Sequence, residues 1–104
     1  MTPVPVIPQK VTKRQLRGIW NDPEFQAALL KRCTERVMVT ERPAPPDAEQ
    51  APGTLSQVYD LFDNNAGELL GTFHRYRKPD GTLGASGKAD PIFLLVNGVP
   101  TYDP

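Results

Sequence analysis

The clearest helical pattern along the chain begins at Asp22, which can cap the free N–H groups of a first helical turn. Pro23 suits the first helical position, where no N–H partner is needed. The apolar residues that follow recur at the spacing of one helix face: Phe25, Ala28, Leu29, Cys33 and Val37. The pattern predicts one amphipathic helix over about residues 23–36, and the β-prone residues 37–40 favour a short strand after it.

The segments on either side of this helix are poorer in apolar residues. Three prolines in residues 1–9 favour an extended arm. Residues 10–19 are basic, and their apolar positions are too sparse to assign a helix, although a short helix beginning at Thr12 fits them. Residues 43–54 contain four prolines and no large apolar residue, so we expect a linker or long loop there.

Two hairpins are expected after this linker. Residues 55–62 fit a strand or a short helix, and the turn-forming residues 63–67 favour a hairpin with a strand over 68–77. Residues 78–91 are rich in glycine and proline, which predicts a turn and an irregular loop.

The last hairpin has the strongest local signal, because an Asn-Gly pair separates the apolar residues 92–96 from residues 99–102. Pro100 cannot donate to a strand ladder, which predicts that the last strand lies at an edge of the sheet.

The fold class expected from these elements is α+β. At 104 residues the chain is expected to form a single small domain. One amphipathic helix (about 23–36) would pack on a small antiparallel sheet of two hairpins (about 55–102), with an extended Pro-rich N-terminal arm. In this organisation, the basic helical part (10–42) and the β part (55–104) are joined by the Pro-rich segment.

Composition excludes several kinds of site. One Cys and one His form neither an internal disulfide nor a tetrahedral Cys/His zinc site, and we expect no metal and no cofactor. The longest apolar run is five residues, far from the ~20 of a membrane helix. No secretory signal is visible at the N-terminus, so we expect a cytoplasmic protein without a membrane partner.

The formal net charge of zero conceals an asymmetry between the two halves of the chain. Residues 1–42 hold eight bases and four acids, whereas residues 43–104 hold four bases and eight acids. The basic half could pack against the acidic half or face an acidic partner. The densest basic cluster is Lys10, Lys13, Arg14 and Arg17, with Trp20 nearby.

The most suggestive chemical run is His74-Arg75-Tyr76-Arg77. On a strand, His74 and Tyr76 share one face, and the two arginines share the other. Histidine suits general acid–base chemistry near neutral pH, and arginine suits phosphate. If the protein is an enzyme, we expect His74, Arg75 and Arg77 to be its catalytic residues; we expect none if it is not.

The segment 84–88 (Gly-Ala-Ser-Gly-Lys) has the spacing of neither a phosphate-binding P-loop nor a Gly-x-Ser-x-Gly nucleophile elbow. Because no complete catalytic constellation is found, we expect a non-catalytic interaction protein of bacterial or phage type. It would bind a macromolecular partner through the strand and loop surface 75–91, with the basic segment 10–17 as a second candidate contact. The expected binding residues are Arg75, Arg77, Lys88, Ser86, Lys13, Arg14, Arg17 and Trp20.

A protein is the favoured partner, and both a monomer and a homodimer fit the sequence. Two alternatives stay open. One is a small metal-independent ribonuclease or toxin-like domain that uses His74, and the other is a non-catalytic nucleic-acid-binding module.

Overall fold

A computed structural model describes residues 7–84 and 88–103. The described chain forms one six-stranded sheet and two short helices in an elongated body of 55 × 28 × 24 Å. In chain order the elements are β1 (Gln9–Lys10), α1 (Lys13–Trp20), α2 (Pro23–Arg32), β2 (Glu35–Pro43), β3 (Leu55–Asp63), β4 (Glu68–Arg77), β5 (Asp90–Val96) and β6 (Val99–Tyr102). Neither helix in this part of the chain has the length and apolar character that a membrane span requires.

The strands lie in the order β1-β6-β5-β4-β3-β2. Four of the five neighbouring pairs are antiparallel, and β1 pairs parallel with β6. The expectation of one helix on an antiparallel sheet of two hairpins is therefore wrong: the sheet is mixed and has six strands. The predicted N-terminal arm contributes one of these strands at residues 9–10, while residues 1–6 lie outside the described residues.

Both helices begin at side-chain caps. Thr12 and Gln15 form a capping box at α1, in which each side chain accepts from the backbone N–H of the other residue at 3.1 and 2.9 Å. At α2, the Asp22 carboxylate accepts from the N–H groups of Glu24 and Phe25. The predicted start at Asp22 is confirmed, and the short helix beginning after Thr12 is also formed.

The predicted end of α2 at residue 36 is wrong, because α2 ends at Arg32 and residues 35–43 form strand β2. Val37 matches the helical stripe of α2 but belongs to residues 37–40 (Val-Met-Val-Thr), three of which are β-branched and favour a strand. Pairing with β3 along almost the whole of β2 supplies the hydrogen bonds that a longer helix would have made. The segment 10–42 is consequently two helices followed by a strand.

The Pro-rich segment joins the two strands of one long hairpin, β2 and β3, instead of a helical part and a β part. Its first residue, Pro43, is the last residue of β2, and residues 46–48 form one 3₁₀ turn. Ala44 donates its N–H to the Thr54 carbonyl at 2.9 Å. Along a strand, the backbone N–H and C=O groups of successive residues point alternately toward and away from the neighbouring strand. Because the N–H of Ala44 points toward β3, the nitrogen of Pro43 points away from β3, where no hydrogen-bond donor is needed.

The predicted strands after this segment are confirmed. Residues 55–63 are a strand, so the helical alternative for 55–62 is wrong, and residues 68–77 pair with them. Asn97 and Gly98 turn the chain between β5 and β6 with φ of 50° and 77°. However, β6 is not an edge strand, because β1 pairs with it at Thr101 and Tyr102, just beyond Pro100.

The core lies between the helices and one face of the sheet. Phe73 is fully buried on β4, and the Trp20 ring at the end of α1 lies 4.6 Å from it. Gly71 leaves room for the Phe73 ring, because a Cβ at position 71 would lie 2.8 Å from an atom of that ring. The buried apolar residues are Leu16, Leu29, Tyr59, Leu61, Leu70, Phe73 and Leu94. We call the face of β3 and β4 that carries Tyr59 and Phe73 the helix face.

The turn at Asn97-Gly98 gives a stability prediction with an internal control. Gly98→Ala places a Cβ at positive φ, which costs about 1–2 kcal/mol and lowers the melting temperature. Gly18→Ala fills a helical position with no atom within 4 Å of the new Cβ. This change is expected to stabilise the protein by about 0.5–1 kcal/mol. Thermal unfolding of the two variants should move in opposite directions; a Gly98→Ala melt equal to wild type contradicts the turn geometry.

Candidate functional site

A cleft lies where the corner between α1 and α2 meets the start of β5. It consists of two adjoining cavities of about 340 and 430 Å³. Both are lined by Trp20, Asn21, Lys88 and Ala89; Arg17, Asp90 and Pro91 complete the first, and Pro23, Gln26 and Leu30 complete the second. We call this groove the corner cleft.

An ion pair fixes one wall of the corner cleft. The Arg17 guanidinium donates from Nε to one Asp90 carboxylate oxygen at 3.0 Å and from Nη2 to the other at 3.2 Å. Two parallel bonds orient the guanidinium and couple α1 to the first residue of β5. Both side chains are partly exposed, so the ion pair contributes little to the net stability of the fold. Its main effect is to hold Arg17 and Asp90 in place beside the cleft.

Trp20 lines both cavities of the corner cleft. Its ring is half-buried and tilted by 56° against the fully buried Phe73 ring, which holds it in one orientation. The last turn of α1 and the capped start of α2 place it at the corner of the two helices. A fixed aromatic side chain with a part-exposed surface is typical of the anchor positions in binding sites.

Lys88 supplies positive charge to both cavities. Its side chain is exposed, and it makes no ion pair within residues 7–84 and 88–103. The cleft therefore combines an available ammonium group with a rigid aromatic ring. The predicted binding residues Arg17, Trp20 and Lys88 are brought together here, although 68 residues separate Trp20 from Lys88 along the chain.

The predicted binding residues Lys13 and Arg14 lie on α1, exposed to solvent. They are four and three residues before Arg17, so the three bases share one side of the helix. None of them forms part of the fully buried core, and Arg17 is the only one of the three that lines the corner cleft. The basic segment is therefore a flank of the cleft.

Arg75 is engaged inside the sheet. Its guanidinium lies 4.7 Å from the centre of the Tyr59 ring and donates to Oε1 of the buried Gln57 at 2.7 Å. Gln57 in turn donates to the Glu41 carboxylate at 2.6 Å. Arg77 is exposed at the end of β4. The structure does not place either arginine in the corner cleft, and the predicted binding residue Ser86 lies outside the described residues.

His74 is on the face of β4 opposite to Arg75. Its Nε2 is 2.8 Å from Oγ of Ser56, and its ring meets the Tyr76 ring edge-on with centres 4.7 Å apart. Burial lowers the pKa of His74 below its ordinary value, while Asp90 opposes this shift and Lys13 adds to it. The three residues expected in the enzyme alternative are thus divided between two faces of the sheet.

Several residues of the cleft were not recognised in the sequence. Asn21 and Ala89 carry no local signal, and Asp90, the first residue of β5, lies within residues 78–91, for which the sequence predicts a turn and an irregular loop. Its opposite charge to Arg17 was visible, but the two residues are 73 positions apart, and no pattern along the chain connects them.

Neither the comparisons with known proteins nor the grouping of potential metal ligands assigns a function to the corner cleft. No family model, curated protein or solved structure was found to match this chain. Within the described ranges, no three His, Cys, Asp or Glu side chains are grouped as metal ligands would be.

The lowered pKa of His74 predicts a pH effect on stability. The unfolded chain takes up a proton at His74 at higher pH than the folded chain, so stability contributed by neutral His74 is lost as pH falls below about 6.5. His74→Gln, which keeps a hydrogen-bonding group near Ser56, removes this contribution. Melting temperatures measured from about pH 8 to about pH 5 should fall less steeply for His74→Gln than for wild type. Parallel curves would contradict the assignment.

Proposed function

We propose that this protein is a non-catalytic binding protein whose corner cleft takes a segment of a protein partner. The observation that supports the proposal best is the meeting of Trp20, Arg17 and Lys88 in one groove. Aromatic and arginine side chains are enriched at the energetic centres of protein interfaces. The strand and loop surface at residues 88–91 lines this groove, and Arg17, the end of the basic segment, is joined to that surface by its ion pair with Asp90.

The partner segment that fits this cleft best is acidic with an apolar or aromatic side chain. The apolar side chain would pack on the exposed part of Trp20, and a carboxylate would meet the ammonium of Lys88. Arg17 is already neutralised by Asp90, which makes Lys88 the charge available to the partner. Lys13 and Arg14 lie on the adjoining side of α1 and would attract an acidic chain toward the groove.

The arrangement favours binding over the ribonuclease alternative. His74 does not line the corner cleft, and its Nε2 is engaged by Ser56. Arg75 is occupied by Tyr59 and Gln57 on the opposite face of the strand. A phosphate held by this arginine would therefore lie away from the imidazole that is needed for proton transfer.

Selection from a library of displayed peptides tests the proposal with defined ligands. Wild-type protein is expected to enrich acidic peptides that contain an aromatic or large apolar residue. Lys88→Glu should weaken binding of a synthesised enriched peptide on the order of tenfold, because attraction is replaced by repulsion. Lys31→Glu is the matched control, since Lys31 is exposed on α2 and does not line either cavity.

Three results would contradict the proposal. One is a selection that enriches no acidic peptide, and another is equal loss of affinity in Lys88→Glu and Lys31→Glu. The third is binding of single-stranded RNA that weakens steeply as salt rises and is lost with Lys13 and Arg14, which would favour the nucleic-acid-binding alternative.

A further inference from the structure

The outer edge of the sheet is β2, which among the described residues pairs with a strand on one side only and lies three strands from β5. β2 is the last strand in the sheet order, and eight of its nine residues are exposed. Three consecutive apolar residues, Val37, Met38 and Val39, are exposed by 39, 41 and 53%. A long edge strand with exposed apolar side chains offers free backbone groups to another strand.

The charges of β2 are complementary to those of the same strand running in the opposite direction. Residues 35–42 read Glu-Arg-Val-Met-Val-Thr-Glu-Arg. Two copies laid antiparallel about the midpoint of this segment bring Glu35 opposite Arg42 and Arg36 opposite Glu41. Two-fold symmetry repeats each pair, so four opposite-charge pairs flank an apolar centre.

The β-bulge in β2 makes this alignment compatible with the two faces of the sheet. Residues opposed across strands must point to the same face, and in a regular strand Arg36 and Glu41 would point to opposite faces because five positions separate them. The pairing with β3 shifts between Met38 and Thr40, which corrects this mismatch. Arg36 and Glu41 consequently lie on the same face of the sheet.

The outer charged pair obeys the same geometry. Arg36 and Glu41 are paired with Leu61 and Gln57, respectively, on the helix face of β3. The outer charged residues are paired with residues on the opposite face of that strand, Glu35 with Phe62 and Arg42 with Ser56. All four charge pairs of the two-fold arrangement therefore join side chains that share a face.

The charge pattern also selects against neighbouring alignments. A shift by one residue opposes side chains that point to different faces, which the geometry of the sheet excludes. A shift by two residues keeps the faces matched but places Arg42 opposite Val37 in one direction and Glu35 opposite Thr40 in the other. Each of these shifts removes all four opposite-charge pairs. The edge thus favours one alignment with a second copy of itself. A pair of β2 strands related by a two-fold axis is a closed arrangement, so it does not extend into a fibre.

The contacts that these side chains make within one copy leave room for the intermolecular pairs. The Arg36 guanidinium lies 5.6 Å from the centre of the Tyr59 ring, a contact that uses none of its N–H donors. Glu41 accepts from Gln57, and Glu35 accepts from Nδ2 of Asn64, each at 2.6 Å. An ionised carboxylate offers about four acceptor positions, so each can also accept from a guanidinium. Arg42 is exposed and makes no side-chain hydrogen bond or ion pair within the described residues.

From these observations we infer that β2 pairs antiparallel with β2 of a second copy of this chain, which joins two sheets into one of twelve strands. Glu35 lies opposite Arg42 of the second copy, and Arg36 lies opposite Glu41 of the second copy. The exposed apolar residues at the centre of β2 meet their counterparts at the two-fold axis. This inference does not depend on what the corner cleft binds.

Light scattering during size-exclusion chromatography, followed by sedimentation equilibrium, tests the inference by charge reversal. Arg42→Glu faces Glu35 of the second copy, and Glu35→Arg faces Arg42, so each variant alone should dimerise roughly tenfold more weakly than wild type. An equal mixture of the two variants restores every opposite-charge pair and should dimerise as wild type does. Lys31→Glu, which changes an exposed residue of α2 that is not part of β2, should leave the dissociation constant unchanged.

Other outcomes overturn the inference. A wild-type chain that stays monomeric up to its solubility limit has no self-pairing edge, and an edge reserved for a different protein would give this result. A dimer that Arg42→Glu does not weaken, or a mixture that is not rescued, assigns dimerisation to another surface. Circular dichroism of each variant verifies that the fold persists, and the rescue by mixing requires folded chains in any case.

Discussion

Packing around Phe73 is the constraint on which the arrangement of this chain depends. Phe73 occupies the centre of β4, where the Tyr59 ring lies 5.6 Å away on the neighbouring strand and the Trp20 ring lies 4.6 Å away on α1. Burial of one such ring contributes about 1.5–3 kcal/mol, a large share of the net stability of a small domain. The same contact orients Trp20 for the corner cleft, so the proposed binding surface is built directly on the core.

The elements that could be predicted from the sequence are those whose decisive interactions are local. Asp22 caps a helix whose N–H groups are two and three residues away, and Asn97-Gly98 sets its own turn. The start of α1 carried a similar signal in Thr12 and Gln15, whose spacing is that of a capping box. The apolar positions of this helix are too sparse for its assignment from the sequence, and the structure shows that the capping box marks its start.

The features that escaped prediction depend on distant partners. Val37 fits both the stripe of α2 and the strand β2, and the choice is decided by pairing with Asp60 across the Pro-rich segment. The parallel contact of β1 with β6 joins the two ends of the described chain. The corner cleft required Arg17 and Asp90 to meet across 73 positions. Single-sequence patterns describe periodicity and caps, and they contain no information on such long-range contacts.

The two proposed surfaces are compatible with each other because the sheet keeps them apart. The corner cleft borders β5, whereas β2 lies beyond β4 and β3 in the strand order. At about 4.8 Å per strand, three strand spacings separate β5 from the edge. Pairing at β2 would therefore leave both clefts of a dimer open. A dimer would present two clefts related by a two-fold axis, so a partner with repeated acidic segments would gain avidity without any new contact.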